Sequence, residues 1–261
     1  MLFRSIVTLT ASDGTVLRLL LDSGASVSLV TEGLVRRLGL PVAELPPGAL
    51  RLAGAGAGCQ ALRPGRVRLP DLRLGGLQIE APEALVMPAL GVPPGSDGVL
   101  GAPLFRQLSL LIDPVSRRVR LDPGSDHPAV APGRATRLPL RWRHGVPLLD
   151  LQDSSGKTVS ALLDTGAEGL FISRGLAARL QPKGPARPLR IAGFCGDESA
   201  SQIDLEGLKL AGRAVGSQPM IVTDSGILAA LEVDAVVGQP MLRDRRQLWL
   251  LNRAQPVLLL W

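Results

Sequence analysis

An internal duplication constrains this chain more than any other feature. Leu19-Leu20-Leu21-Asp22-Ser23-Gly24-Ala25 recurs as Ala161-Leu162-Leu163-Asp164-Thr165-Gly166-Ala167, and Arg51-Leu52-Ala53-Gly54 recurs as Arg190-Ile191-Ala192-Gly193. Asp97-Gly98-Val99-Leu100-Gly101 returns as Asp234-Ala235-Val236-Val237-Gly238, and Leu110-Leu111-Ile112-Asp113 as Trp249-Leu250-Leu251-Asn252. The four offsets are 142, 139, 137 and 139 residues, always in the same order. Chance similarity does not hold register in this way, so the 261 residues read as two copies of one unit. The spacing is far too long for a solenoid repeat and suits a lobe. The expected lobes are 1–122 and 137–261, joined by a linker at 123–136 that is rich in Pro, Gly and small residues.

Local signals agree between the copies. A strand precedes each Asp, at Val16–Leu21 and at 159–163. A short apolar strand follows each Asp-Ser/Thr-Gly-Ala turn, at 27–30 and Leu170–Ile172. Thr31 and Ser173 then read as N-caps of short helices reaching about Leu38 and Leu180, with Gly39 closing the first. Alternating runs at 66–69, 77–85 and 203–210 suit hairpins. The thirty glycines and twenty-two prolines point the same way, to an all-β fold of two pseudo-symmetric lobes with short helices and a cleft between them. With 46% hydrophobic residues, 3% aromatics and no tyrosine, core and cleft must be built from Leu, Val, Ile and Ala.

Charge and rare residues narrow the function classes. The net +6 divides as 13 basic and 10 acidic residues over 1–122 and 16 basic and 13 acidic over 123–261, leaving +3 in each half. The arginines are scattered, without the basic patch or tail of a nucleic-acid binder, so no nucleic-acid partner is expected. Cys59 and Cys195 have no CxxC or Cys/His spacing, and His127 and His144 are the only histidines, so neither a metal nor an organic cofactor is expected. The two cysteines lie in or beside the Gly-rich segments and read as buried or incidental thiols, with a disulfide between those segments as the minor alternative. A Ser/His/Asp hydrolase would need a Gly-x-Ser-x-Gly elbow, which is missing. No apolar run is long enough for a transmembrane span, and no leader opens the chain; periplasmic or exported if a leader was removed, otherwise cytoplasmic, is the expectation.

A duplicated Asp is what one kind of hydrolytic site requires. One carboxylate must be ionised to take a proton from water, and a second must be protonated to polarise a carbonyl. Two carboxylates about 3 Å apart cannot both ionise, so such a pair shares a proton. Two-fold symmetry supplies the pair from one repeated unit: Asp22 and Asp164. Gly24 and Gly166 allow the tight turn and offer unhindered N–H groups, and the hydroxyls of Ser23 and Thr165 can lock the two loops across the axis.

These motifs resemble the signature of retropepsin-like aspartic proteases, in the single-chain bacterial form. In that family a second signature, two aliphatic residues and a Gly, packs behind the loop; Val99-Leu100-Gly101 and Val236-Val237-Gly238 match it, each followed by a helix-like stretch at 102–107 and 239–244. Gly-rich flaps lie between the signatures, where this chain has Gly54, Ala55, Gly56 and Gly193, Phe194, Cys195. The resemblance implies an aspartic endopeptidase acting on extended peptide or protein substrates. Asp22 and Asp164 would be catalytic, with Ser23, Gly24, Ala25, Thr165, Gly166 and Ala167 as loop support. The chain would be a monomer, its two lobes replacing the viral homodimer. The alternative is a catalytically silent peptide-binding or scaffold protein on the same fold. Pepsins carry Ser or Thr where this chain has Ala25 and Ala167, and a methyl cannot stabilise an ionised pair; a weakly acidic pH optimum is expected.

Overall fold

Period-two burial in the opening residues sets the first sheet. In Ile6–Ala11 and Val16–Leu21 the side chains of Leu9, Leu17, Leu19 and Leu21 are wholly buried, while their neighbours Thr8, Thr10 and Arg18 face out. The two strands pair antiparallel, Val7 opposite Leu19. The structure, a computed structural model, describes residues 5–46, 49, 52–87, 92, 94–123, 135–242 and 244–261. Most of the expected linker, residues 124–134 with His127, lies outside the described residues, as does Arg51.

The fold is mostly β, with short helices. In the first half, nine strands form one sheet in the order 43–44, 65–68, 83–87, 28–31, 98–100, 16–21, 6–11, 72–74, 77–79. Its centre carries the repeated motifs. Gly98–Leu100 lies parallel to Val16–Leu21, with Leu21 opposite Leu100, and antiparallel to Ser28–Thr31, with Leu29 opposite Val99. The second half repeats this arrangement: Ala235–Val237 is parallel to Thr158–Leu163, with Leu163 opposite Val237, and antiparallel to Leu170–Ile172. Central strands covered on both faces lose their alternation, which is why Ala161, Leu162 and Leu163 are all buried.

The halves share a sheet. Ser109–Asp113 pairs antiparallel with Gln247–Leu250, Leu110 opposite Trp249. These are the two copies of the fourth repeated segment, lying against each other as a local two-fold axis requires. Arg118–Asp122 flanks one side, and Val257–Leu260 with the start of Thr136–Arg143 flanks the other. Trp249 is fully buried here; its indole N–H donates to Gln247, whose amide in turn donates to the Leu242 carbonyl. One contiguous core, mainly Leu, Val, Ile and Ala with Phe105 and Trp249, runs through both halves.

The helices follow their caps. Thr31 accepts from the Leu34 N–H at 3.3 Å, and Gly39, at φ 61°, ends Glu32–Leu38. Ser173 likewise caps a helix, but it spans only Arg174–Ala177, three residues short of the expected Leu180. The chain tightens into a turn instead, the Leu180 N–H donating to the Ala177 carbonyl, and Gln181–Pro182 is a strand paired with 205–206. The stretches after the second signatures become a helix at Ala102–Phe105 and a 3₁₀ turn at Gln239–Met241.

Candidate active site

Asp22 and Asp164 leave the ends of their strands under the control of the second signature. The Asp22 N–H donates to the Leu100 carbonyl at 3.0 Å, and the Asp164 N–H to the Val237 carbonyl at 3.0 Å. The signature glycines permit the close fit. A Cβ on Gly101 would lie 2.7 Å from the Ala25 carbonyl oxygen, and one on Gly238 would lie 2.5 Å from that of Ala167. The sequence motif Val-Leu/Val-Gly is thus two aliphatic residues filling the core and one residue without a side chain where backbones touch.

Each carboxylate is fixed by its own loop. Oδ1 of Asp22 accepts from the N–H groups of Gly24 (2.8 Å) and Ala25 (3.1 Å); Oδ1 of Asp164 accepts from Gly166 (2.7 Å) and Ala167 (3.1 Å). The loops are tied across the axis by Ser23 and Thr165, both buried. The Ser23 hydroxyl donates to the Leu163 carbonyl at 2.8 Å and accepts from the Thr165 N–H at 3.0 Å. The Thr165 hydroxyl donates to the Leu21 carbonyl at 2.8 Å and accepts from the Ser23 N–H at 3.0 Å. Four reciprocal bonds therefore join the two loops, two of them between residues 142 positions apart.

The same geometry brings the carboxylates together. A Cβ on Gly24 would sit 2.5 Å from Cγ of Asp164, and one on Gly166 would sit 2.7 Å from Cγ of Asp22. Each acid therefore rests against the opposite loop, and any larger residue at either glycine would displace the acid of the other half. Each carboxyl acts on the other's titration. Burial, then the nearby Asp164 charge, drives Asp22 well above the ordinary aspartate value of 3.8; the Gly24 and Ala25 amides oppose the rise. Asp164 is also raised by burial, against its bonds from Asp22 and the loop amides. Both acids keep partial access to the outside. The two acids therefore titrate as a unit rather than as two independent groups.

The two segments expected as flaps meet each other, and here the expectation for the cysteines is corrected: Cys59 and Cys195 form a disulfide. Spacing along the chain gave no sign of it because the bond joins residues separated by 136 positions. The backbones interlock around it. The Cys195 N–H donates to the Ala55 carbonyl at 2.8 Å, and the Gly58 N–H donates to the Cys195 carbonyl at 2.7 Å. A Cβ on Gly193 would lie 2.4 Å from the Ala55 oxygen, and one on Gly56 would lie 2.3 Å from the Gly196 oxygen. Gly54 faces Phe194 and the Cys195 sulfur. Phe194 reaches into the other half, packing with Ala25, Leu52 and Leu62 on the cluster of Leu20, Leu29 and Val99.

Three polar residues here escaped the sequence reading. Glu198 accepts from the Gly56 N–H at 3.0 Å and from the Thr223 hydroxyl, and the Ser225 hydroxyl donates to the Gly54 carbonyl at 3.4 Å. None belongs to a repeated motif, so no signal marked them. Two surface cavities, of about 440 and 620 Å³, lie off the carboxylate pair, on the flanks marked by Arg174 and by Glu32. Among the described residues no cluster of three or more His, Cys, Asp or Glu could hold a metal ion, and no helix is long and apolar enough to cross a membrane.

Residues 7–104 and 153–241 each match the family model described as Aspartyl protease. The fold is similar to that of an aspartic proteinase from Irpex lacteus, with a TM-score of 0.56 over 97% of this chain and 93% of that one, at 14% identity. No curated protein matches the sequence.

Proposed function

Because this chain belongs to the aspartyl protease family, we propose that it is an aspartic endopeptidase in which Asp22 and Asp164 activate one water between them. The observation that carries the reading is the reciprocal seating of each carboxyl against the glycine of the opposite loop. Two acids so placed share a proton. The ionised member takes a proton from water as it attacks the scissile carbonyl, and the protonated member polarises that carbonyl and later supplies the leaving amine. The Gly24, Ala25, Gly166 and Ala167 amides hold the acids in place, so little reorganisation accompanies each turnover.

Substrates would lie extended beneath the flaps, partly as an added strand. The half-buried patch of Ala25, Leu52, Leu62 and Phe194 favours apolar side chains beside the scissile bond. The raised pair and the two alanines support a weakly acidic optimum; a sharp optimum near pH 2 with little activity near pH 5 would count against it. The disulfide favours an oxidising compartment, and so the exported alternative.

The test compares wild type, Asp22→Asn and Asp164→Asn on a peptide library with and without pepstatin. Loss of cleavage in both variants supports the pair, and cleavage surviving in either one removes it. The linked flaps favour a second reading, a peptide-binding module without turnover, in which Asp22→Asn leaves peptide binding intact and wild type cleaves nothing.

A further inference from the structure

We propose that one end of the shared sheet, built around the turn at 113–118, is a docking surface for an anionic phospholipid bilayer. The arginines concerned are dispersed along the chain, at 117–118, 137 and 245–246, and the sheet collects them. Arg118 lies opposite Asp113 at the turn. In the next row Ile112 lies opposite Gln247, Gln247 opposite Leu260 and Leu260 opposite Thr136. Trp261 extends the last strand, its N–H donating to the Arg246 carbonyl at 3.1 Å. These residues therefore share one end of five strands, a span of about 19 Å at the usual strand spacing.

Charge and apolar surface coincide there. Arg117, Arg118, Arg137, Arg245 and Arg246 are exposed, and the acids among them are Asp113 and Asp244, which leaves this end +3 of the chain's net +6. Asp113 is fully engaged. Its Oδ2 accepts from Arg246, at 3.0 Å from Nε and 2.7 Å from Nη2, and its Oδ1 accepts from the Val115 and Ser116 N–H groups, each at 3.1 Å. Among the described residues no carboxylate pairs with Arg117, Arg118 or Arg245, whereas Arg36, Arg37, Arg141 and Arg174 each have one. The Asp113 bonds also fix the turn so that it presents Val115, which at 87% is the most exposed large apolar side chain among the described residues. Held in water, that valine contributes nothing to folding. Beside it, on the outer face of the sheet, Leu111, Leu259 and Trp261 lie half-buried against Leu248, Leu250 and Val257, while the alternate residues turn into the main core.

This combination selects the occupant. Arginines alone would attract any negative surface. A nucleic acid would call for rings free to stack or long polar side chains at base edges. A turn tipped by Val115 and Ser116 offers neither, and the indole of Trp261 is half-buried against its own sheet. A second copy of the chain would set arginine against arginine. A bilayer accommodates both parts: valine and indole enter the boundary between headgroups and acyl chains, and the guanidinium groups stay among the phosphates. Each arginine so placed is worth about a fivefold gain in affinity. Binding of this kind needs no spanning helix, and among the described residues there is none. It would bring the cleft to polypeptides displayed at a membrane, and it stands whether or not the acids cleave.

The experiment is vesicle co-sedimentation of the full chain, with phosphatidylcholine alone and with a phosphatidylcholine–phosphatidylglycerol mixture, at low and high salt. Wild type is compared with Val115→Asp, with the triple variant Arg117→Asn, Arg118→Gln, Arg245→Gln, and with a control, Arg66→Gln, Arg187→Gln, Arg213→Gln, that removes the same charge elsewhere. All these positions are exposed, and Asn is used at 117 because the backbone there has φ 52°. Wild type should sediment with the mixed vesicles and not with phosphatidylcholine alone, and high salt should weaken it. The triple variant should lose about a hundredfold in affinity and the control no more than about fivefold. Val115→Asp should lose about tenfold or more, and it carries the test alone should the triple variant not fold. Failure of wild type to bind the mixed vesicles overturns the proposal. So does an equal loss in the control, which would make the attraction diffuse, or an unchanged Val115→Asp, which would leave nothing inserted. A DNA duplex run in the same buffer decides the other occupant: binding tighter than to vesicles, and lost in the triple variant, overturns the bilayer in favour of nucleic acid.

Discussion

The two carboxylate loops and the two flaps descend from the same duplication, yet they have fared differently. In the loops every contact has a twin: Gly24 and Ala25 on Asp22, Gly166 and Ala167 on Asp164, Ser23 to Leu163, Thr165 to Leu21. In the flaps the contact is duplicated but its chemistry is not. The local repeat offset of 139 equates Cys59 with Glu198 and Gly56 with Cys195. The two-fold image of the disulfide is therefore the hydrogen bond from Gly56 to Glu198, and both are formed. The flaps also differ in shape. Arg187–Gly193 and Gly196–Glu206 make a regular hairpin, whereas residues 52–58 run irregularly into a 3₁₀ turn at Cys59–Ala61. On the axis a residue touches its own copy, so a change in one half is felt by both. Off the axis it touches a different residue, and the halves are free to diverge.

The comparison can be broken most directly at the acids. Asp22→Asn and Asp164→Asn should each lower kcat/KM on a cleavable peptide by at least about 10²–10⁴-fold, and to a similar degree; a large difference between them would end the equivalence of the loops. The flaps should behave in the opposite way. Cys59→Ser releases a link across 136 residues and should cost about 2–4 kcal/mol in urea unfolding, whereas Glu198→Gln, its two-fold image, should cost about 1 kcal/mol or less. Equal costs would mean that the disulfide adds nothing beyond its symmetric counterpart. Ser23→Ala and Thr165→Ala each strand a buried N–H and a carbonyl. Each should cost about 2 kcal/mol, with a double mutant well short of the sum because both remove one network.

The smallest expected effect is a pH dependence of stability. The pair's values lie above the ordinary 3.8, so the unfolded chain releases these protons first as pH rises while the folded chain retains them. The contribution is fully present below the ordinary value and is lost as pH rises through the raised ones. Asp22→Asn removes that loss, so the Tm of the variant relative to wild type should rise as the pH is raised above the ordinary aspartate value of 3.8. A difference independent of pH would mean the acids do not share a proton.

The loops and the strands beneath them were legible in the sequence because short-range rules govern them. Aliphatic runs such as Leu19–Leu21 mark central strands, Thr31 and Ser173 mark helix starts, and the repeat ties the copies together. The flaps were only half legible. Glycine fixed where backbones come close, but Gly54 to Gly58 carries nothing larger than a methyl group to pair across strands, and so nothing distinguished a hairpin from an irregular loop. The disulfide was outweighed, and the Glu198 bond hidden, for another reason: each joins positions that only the completed fold makes neighbours.

The antiparallel meeting of Leu110 with Trp249 carries a last consequence. In a homodimer built from one such unit, that strand pairing would be an encounter between separate molecules and would fail on dilution. Within one chain the partner is always at hand, and its effective concentration is set by the connecting segment rather than by expression level. Assembly of the carboxylate pair is thereby uncoupled from abundance, and a few copies per cell would each be whole.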